Sequence, residues 1–221
     1  MVNWSEIESV LLDMDGTLLD LSFDNYFWLE YLPERVAESS DMPLAQAHTH
    51  VRRLSESTYG TLQWYCLDHW SELLSLDVEA LKKEVSHLVR MRPHCVAFLS
   101  FLRRLRKRVI LVTNAHPKAL AIKVEASGLD DHLEQMISSH EFNLAKENDG
   151  FWEKLEAREG LDLSRSLFVD DSLSVLECAS RSGLGYVVQV LHPDSGVQPR
   201  DPSHFKGILD LDELINTEIP A

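Results

Sequence analysis

Two pairs of acidic residues follow short apolar runs at two distant points of the chain. Asp13 and Asp15 come directly after the first run, and Asp170 and Asp171 come directly after a later one. Each run is too short for a helix and indicates a buried strand, so all four acids lie at predicted strand ends. Turn formation explains one such pair, but four carboxylates packed together repel one another unless a cation is bound. Oxygen ligands suit hard cations, so the pattern predicts a Mg²⁺ site that faces a phosphate ester.

The spacing of Asp13 and Asp15 suits two complementary roles in phosphate chemistry. Side chains two residues apart in an extended segment project to the same side. One carboxylate can therefore attack phosphorus while the other handles the proton of the leaving group. Thr113 and Asn114 end another apolar run, and Thr113 with a nearby lysine can bind the non-bridging phosphate oxygens.

The apolar runs that precede these residues are continuous rather than alternating. Such runs are typical of strands covered on both faces, as in a parallel sheet. They predict five strands, at residues 10–12, 109–112, 136–137, 166–169 and 186–190. Helical periodicity predicts helices between them, over about 98–105, from about 117 to Gly128, from about 147 to Gly160, and from a capping Ser172 to near Gly183. Strands alternating with helices predict an α/β fold, a doubly wound Rossmann-like parallel sheet core.

The stretch that follows the first predicted strand interrupts this alternation. Residues 22–90 contain no strand-like run, and their apolar residues follow helical spacing over about four helices. An inserted all-helical cap after the first strand would stand over the carboxyl ends of the strands, where open α/β sheets bind ligands. The predicted division is an α/β catalytic core of residues 1–20 and 91–221, and a helical cap domain of residues 21–90.

The composition excludes several classes of partner. The chain has 221 residues, with 21 Lys and Arg against 36 Asp and Glu and a net charge of −15. Such a field repels nucleic acid and anionic lipid, so neither a nucleic-acid nor a membrane partner is expected. Three cysteines at wide spacing indicate free, reduced thiols rather than disulfides or a zinc site. With no secretory signal pattern and no apolar run near 18 residues, the expected location is cytoplasmic.

Four short segments, in order, resemble the motifs of the haloacid dehalogenase superfamily. Asp13-Met14-Asp15-Gly16-Thr17 resembles the first motif, D-x-D-G-T, and Val112-Thr113-Asn114 resembles the second. Lys146 lies where the third motif has its lysine, and Phe168-Val169-Asp170-Asp171-Ser172 resembles the fourth. The chain departs from the pattern after the lysine, where Glu147 replaces the proline of many members.

The resemblance implies a role for each matched residue. Asp13 would be the nucleophile that forms an aspartyl-phosphate, and Asp15 would protonate the leaving alkoxide and then activate water. Thr113, Asn114 and Lys146 would hold the phosphoryl group. The dehalogenases of the superfamily lack the second acid, so Asp15 favours phosphate chemistry.

The same resemblance implies that Mg²⁺ is the cofactor. Its protein ligands would be the carboxylates of Asp13 and Asp170, the backbone carbonyl of Asp15, and Asp171 either directly or in the outer shell. Electrostatic stabilisation would then supply most of the catalysis, as in other phosphoryl transfers.

A closer resemblance, to the bacterial GMP/IMP nucleotidases, includes parts of the helical stretch. It is carried by residues 11–21, 23–28, 64–68, 113–117 and 193–196. It implies that the partner is a small phosphate monoester, a purine 5′-nucleotide, which is hydrolysed to nucleoside and phosphate. Candidate contacts to the substrate are Asp24, Asn25, Tyr26, Trp64, Tyr65 and His116. Aromatic residues at helical spacing usually pack helices together, and the polar candidates have ordinary roles at helix ends, so these assignments compete with structural ones.

Two other functions agree with the same residues. A phosphatase or phosphomutase acting on a sugar phosphate or another small organophosphate would use the same core motifs, because the cap selects the leaving group. A nucleotide-binding module without turnover would have to reuse the same acids, since no P-loop or dinucleotide-binding pattern occurs. The base preference and the oligomeric state are left open.

Overall fold

A single parallel sheet organises the protein, whose computed structural model describes residues 2–215. Within those residues six strands pair in the order β3-β2-β1-β4-β5-β6. The strands are β1 (Ser9–Leu12), β2 (Arg108–Thr113), β3 (Met136–Ser138), β4 (Ser166–Asp170), β5 (Tyr186–Val190) and β6 (Lys206–Ile208). The predicted doubly wound α/β fold is therefore confirmed.

Ten α-helices lie within residues 2–215. They are α1 (Ser22–Tyr26), α2 (Leu32–Ser40), α3 (Leu44–Thr58), α4 (Leu67–Leu74), α5 (Val78–Glu84), α6 (Cys95–Arg104), α7 (Pro117–Ser127), α8 (Phe151–Glu159), α9 (Leu173–Arg181) and α10 (Asp212–Ile215). A π-helical turn over Phe27–Tyr31 joins α1 to α2, so these two helices form one continuous helical stretch.

Helices cover both faces of the sheet, which explains why its strands are apolar along their whole length. Val10 and Leu12 of β1 belong to one buried cluster, whereas the intervening Leu11 belongs to a second cluster with Ile110 and Phe168. Successive side chains of a strand point to opposite faces, so each face of β1 contributes to its own core.

The central position of β1 brings three strand ends together. Leu12 pairs with Leu111 of β2 on one side and with Val169 of β4 on the other. The next residue, Asp13, continues this pairing by donating its backbone N–H to the carbonyl of Val169 at 3.0 Å. Because all three strands are parallel, the residues that follow them emerge at one edge of the sheet.

The five predicted strands are confirmed. The structure differs from the prediction in one additional edge strand and at the N-termini of two helices. The short edge strand β6 has no apolar run to reveal it. Helix α8 begins at Phe151 rather than near residue 147, since Asn148 accepts a hydrogen bond from the backbone of Ala145 in a preceding turn. Ser172 occupies the N-cap position of α9 as predicted, but its hydroxyl accepts no hydrogen bond from the helix backbone, and its own backbone N–H donates to Asp170 at 2.7 Å.

Residues 22–90, called the helical segment below, connect β1 to the core helix α6. Their regular structure consists of α1 to α5 and short turns of 3₁₀- and π-helix. The chain leaves and re-enters the core at one place, where Asp20 donates to Arg90 and Arg92 donates to Leu18, both at 2.9 Å between backbone atoms. The treatment of residues 21–90 as a separate cap domain stays a prediction.

Within residues 2–215, no helix has both the length and the apolar character needed to cross a membrane. All three cysteines are free thiols, with Cys66 half-buried and the other two buried. The cytoplasmic location stays a prediction.

Candidate active site

Three carboxylates meet at the edge where β1 and β4 end. Asp13, Asp170 and Asp171 each offer an oxygen that lies within 4.8 Å of the other two. All three side chains are buried, with residue exposures of 6%, 1% and 8%. Burial raises the pKa of Asp13 to about 7 and that of Asp171 to about 8, and the neighbouring carboxylate of Asp170 adds to both shifts. This cluster therefore favours any cation that can neutralise it.

One such cation is the ammonium group of Lys146. Its Nζ donates to the carboxylate of Asp13, to Oδ2 of Asp170 at 2.7 Å and to the carbonyl of Val112 at 3.1 Å. Burial alone would lower the pKa of Lys146, but the two carboxylates outweigh it and raise that pKa above its ordinary value. The lysine is therefore charged at neutral pH and lies against the proposed nucleophile.

Residues at the end of β2 and just after it lie beside the loop of residues 143–150, which carries Lys146 and is called the lysine loop below. Asn114 accepts a hydrogen bond from the backbone N–H of Lys146 and donates to Glu147, both at 2.8 Å. The hydroxyl of Thr113, which is almost fully buried, accepts from the backbone of Ala115 at 3.0 Å. The side chain of Asn114 is thus engaged in positioning Lys146, which is a different role from the predicted contact with phosphate.

Asp15 points away from the three clustered acids and toward helix α7. Its carboxylate forms an ion pair with Nζ of Lys123 at 2.7 Å, and burial together with the charge of Asp24 raises the pKa of Asp15 to about 7. Near neutral pH this group can both donate and accept a proton, as a general acid and base must. Its side chain lies outside the acidic cluster, and the metal contact expected through its backbone carbonyl stays a prediction.

A buried network of four charged groups extends from Asp15 into the helical segment. Lys123 also contacts Asp24 at 2.6 Å, and Lys82 of α5 contacts the other oxygen of Asp24 at 2.8 Å. Burial would raise the pKa of Asp24, but the two ammonium groups hold it well below its ordinary value. Both oxygens of Asp24 therefore pair with ammonium groups, and its contact with substrate stays a prediction.

The other predicted substrate contacts are distributed around the helical segment. Asn25 donates to Asp194 of the core at 2.6 Å, and Tyr26 is 39% exposed. Trp64 donates its indole N–H to Ser55 at 2.8 Å. Each of these three side chains has a structural contact or an exposed position, and within residues 2–215 no hydrogen bond or ion pair joins it to the acidic cluster or to Lys146.

Tyr65 contacts the lysine loop, and His116 lies at the start of α7. The hydroxyl of Tyr65 donates to Glu147 at 2.8 Å, and burial together with that carboxylate raises the pKa of Tyr65, so the phenol stays protonated. His116 occupies the N-cap position of α7, where its ring accepts from the backbone of Lys118 at 3.4 Å. Glu147 stands where many members of the superfamily have a proline. Its carboxylate accepts hydrogen bonds from both Tyr65 and Asn114, and so connects the helical segment to the end of β2.

The family model of the haloacid dehalogenase-like hydrolases matches residues 7–183. The chain belongs to this family. The matched range contains every residue of the acidic cluster, the lysine loop and the buried charge network, so the chain is an enzyme of the hydrolase class.

The relatives of this hydrolase agree with that assignment. The chain is 40% identical over 214 residues to the GMP/IMP nucleotidase YrfG of Escherichia coli (strain K12), covering 97% of this chain and 96% of the relative. The nucleotidase YrfG of Shigella flexneri matches equally well. A haloacid dehalogenase-type phosphatase from Thermococcus onnurineus has the same fold, with a TM-score of 0.78, 22% identity and coverage of 94% of this chain and 96% of that one.

The donor set of this hydrolase fits Mg²⁺. The oxygens of Asp13, Asp170 and Asp171 form an all-oxygen cluster of the kind that hard cations select. Arg200 lies 3.0 Å from Asp171 and offsets part of its charge, and Gly16 packs beside the same side chain. An ion held by these residues would supply positive charge to a bound phosphoryl group.

Gly16 is required by both the backbone and the packing. Its φ is +85°, and a Cβ there would lie 2.9 Å from Cγ of Asp171. We expect Gly16→Ala to destabilise the fold by about 1–3 kcal/mol and to weaken Mg²⁺ binding by displacing Asp171. Thermal denaturation at increasing Mg²⁺ concentrations measures both effects. Gly183→Ala is the matched control, because Gly183 also has a positive φ but open space around its Cα. If Mg²⁺ raised the melting temperature of both variants equally, the expected clash between a Cβ at position 16 and Asp171 would be refuted.

Removal of Lys123 tests the buried charge network. Lys123→Met leaves the carboxylates of Asp15 and Asp24 buried without their shared partner, and we expect a loss of about 3–5 kcal/mol in the free energy of unfolding. Adding Asp24→Asn removes one of those charges, so the double variant should lose about 0.5–3 kcal/mol less than the sum of the single variants. Urea denaturation of the full cycle measures this coupling.

The control for that cycle is Lys118→Met on the same helix. Lys118 is 45% exposed and pairs with Asp68 at 2.7 Å, so its loss should change stability far less than the loss of Lys123. Additive losses in the Lys123 and Asp24 cycle would show that the two residues do not act as one network.

Proposed function

We propose that this hydrolase is a Mg²⁺-dependent 5′-nucleotidase that converts purine nucleoside monophosphates, GMP and IMP, to nucleoside and phosphate. The observation that carries the proposal is the buried contact of Lys146 with Asp13 and Asp170. It puts a cation against a carboxylate nucleophile at the edge where the helical segment meets the sheet. The 40% identity to a GMP/IMP nucleotidase along 97% of the chain supports the choice of substrate.

In the first half of the reaction, a carboxylate oxygen of Asp13 attacks phosphorus and the bond from phosphorus to the ester oxygen breaks. Asp15 gives its proton to the departing oxygen, which leaves as the nucleoside hydroxyl. Lys146 and Thr113 hold the non-bridging oxygens, whose charge the ammonium group offsets. The products of this step are the nucleoside and an aspartyl-phosphate on Asp13.

In the second half, Asp15 accepts a proton from water, and the resulting hydroxide attacks the phosphorus of the aspartyl-phosphate. The bond from phosphorus to Asp13 breaks, which releases inorganic phosphate and restores the free carboxylate. Asp15 ends this half protonated and ready for the next turnover. The pKa of about 7 that burial gives Asp15 suits both of its roles.

The helical segment would select the leaving group. Tyr65 is the aromatic candidate that the structure connects to the phosphate-binding residues, because its hydroxyl donates a hydrogen bond to Glu147, the neighbour of Lys146. A purine ring stacked on an aromatic side chain gains about 1–3 kcal/mol.

A substrate panel tests the proposal. Phosphate release is measured with 5′-GMP, 5′-IMP, 5′-AMP, pyrimidine 5′-monophosphates and hexose phosphates, each with Mg²⁺ and with a chelator. We expect the highest kcat/KM for the purine monophosphates and no turnover in chelator. Hexose phosphates turning over faster than every nucleotide would refute the nucleotidase and favour a sugar phosphatase, and no turnover of any ester would refute the phosphatase.

A further inference from the structure

A second cluster of metal-binding side chains lies beside the site already described. Cys66, His116 and His140 each offer a donor atom, and the three atoms lie within 4.8 Å of one another. Cys66 precedes α4 in the helical segment, His116 precedes α7, and His140 lies in a 3₁₀ turn after β3. The cluster therefore joins the helical segment to two loops of the core, and the proposed hydrolysis does not use it.

His140 has a ring nitrogen that needs a partner. Its Nε2 is buried, and it has no hydrogen-bond partner within residues 2–215. The ring of His116 stands perpendicular to that of His140, with 4.9 Å between the ring centroids. Buried polar atoms nearly always bind something, so an unpaired nitrogen among other donors points to a missing ligand.

His116 has the kind of outer partner that metal-bound histidines use. Its Nε2 lies 3.8 Å from a carboxylate oxygen of Asp68, and its other ring nitrogen makes only the long 3.4 Å contact to the backbone of Lys118. A metal-bound histidine usually turns its second nitrogen toward a carboxylate or a carbonyl. Burial lowers the pKa of His116, and it lowers that of His140 to about 4, so both rings are neutral at pH 7, which is the form that binds metal.

We propose that Cys66, His116 and His140 bind a divalent transition-metal ion, with Zn²⁺ as the ion that this donor set favours. One thiolate and two imidazoles are soft and borderline ligands that select Zn²⁺ over Mg²⁺, whereas the all-oxygen cluster at Asp13 selects the harder ion. The two sites therefore discriminate between metals by their donor chemistry.

The geometry is close to what such an ion requires. Zinc bonds to nitrogen of about 2.0–2.1 Å and to sulfur of about 2.3 Å place tetrahedral donors roughly 3.3–3.8 Å apart. The observed limit of 4.8 Å is thus at most about 1.5 Å wider, a difference that small side-chain rotations can close. Three protein ligands leave a fourth position open, as in exchangeable zinc sites.

Cobalt substitution tests the site without using activity. The full-length protein, reduced and in excess Mg²⁺ to fill the acidic cluster, is titrated with Co²⁺ while its absorption spectrum is recorded. We expect a thiolate-to-cobalt charge-transfer band that saturates at one equivalent and disappears when Zn²⁺ is added. The band should be absent in Cys66→Ser and should require at least about tenfold more Co²⁺ in His140→Gln.

Cys178→Ala is the matched control, because it removes a thiol that lies in the apolar core with Leu11 and Phe168 and is not part of the Cys66, His116 and His140 cluster. It should keep the wild-type band, and Cys66→Ser should keep the wild-type circular dichroism and basal turnover. A wild-type protein without a thiolate band, or a band that persists in Cys66→Ser, would overturn the proposal. Because hydrolysis does not depend on this cluster, either result leaves the proposed function untouched.

Discussion

Asp13→Asn is expected to abolish turnover of every phosphate ester, with a loss in kcat on the order of 10⁴-fold or more. The amide keeps the shape of the side chain, but it cannot form the aspartyl-phosphate, so both halves of the reaction fail together. Steady-state phosphate release with GMP and with a small generic ester measures the loss. The same loss is expected for both substrates, because both must transfer their phosphoryl group to the same carboxylate.

The control for this variant is Asp20→Asn. Asp20 is also buried after β1, but it accepts hydrogen bonds from the backbone of Ser22 and Ser195 and lies outside the acidic cluster. It should retain turnover when folded, as judged by circular dichroism. Substantial activity in Asp13→Asn would mean that the nucleophile is another residue.

The meeting of Asp13, Asp170 and Asp171 could be predicted because it follows from backbone topology. Asp13 and Asp170 end apolar runs, and parallel strands with helical connections must bring such ends to one edge of the sheet. No side-chain detail is needed for that inference. The same argument anticipates Thr113, since β2 pairs directly with β1.

The partners of those residues depend on tertiary packing, which the local pattern does not contain. Lys123 resembles any helix lysine in the sequence, but in the structure it is 2% exposed and pairs with both Asp15 and Asp24. Arg200 lies in a loop without periodicity, and only the folded chain brings it to Asp171. The position of Lys123 between Ile122 and Val124 of α7 is the sequence signal for its burial.

The cluster of Cys66, His116 and His140 was missed for the same reason. Metal ligands are evident in a sequence when they lie at short spacing, whereas these residues lie 24 to 74 positions apart and converge from three elements. Glu147 was noted only as a departure from a motif. The structure explains that departure, because its carboxylate joins Tyr65 to Asn114 and so links the helical segment to β2.

Mg²⁺ is expected to raise the melting temperature of the protein, and to raise it more at pH 8 than at pH 5.5. At a concentration one hundred times its Kd, a ligand of the folded state adds about 2.7 kcal/mol of stability. For a chain of this size that corresponds to roughly 5–11 °C. Differential scanning calorimetry at both pH values, with ionic strength held constant by KCl, measures the shift.

The direction of the pH effect follows from the raised pKa values. Without the metal, the folded-state pKa values of Asp13 and Asp171 are about 7 and 8, above the ordinary value of 3.8. The folded protein then binds more protons than the unfolded chain between pH 3.8 and about 8, so the contribution of these groups to stability falls as the pH rises through that window. Mg²⁺ must displace those protons at low pH, whereas at pH 8 it meets carboxylates that are largely ionised and binds more tightly.

Asp170→Asn distinguishes Mg²⁺ binding at the acidic cluster from a general effect of salt on stability. The substitution removes one of the three clustered carboxylates, so the shift caused by Mg²⁺ should largely disappear, while Asp20→Asn should keep it. Because Asp170 also pairs with Lys146, the variant can differ in its starting stability, and the comparison is therefore between melting temperatures with and without Mg²⁺ for each protein. A Mg²⁺ shift that is equal at the two pH values, or that survives in Asp170→Asn, would show that the ion binds elsewhere than at these acids.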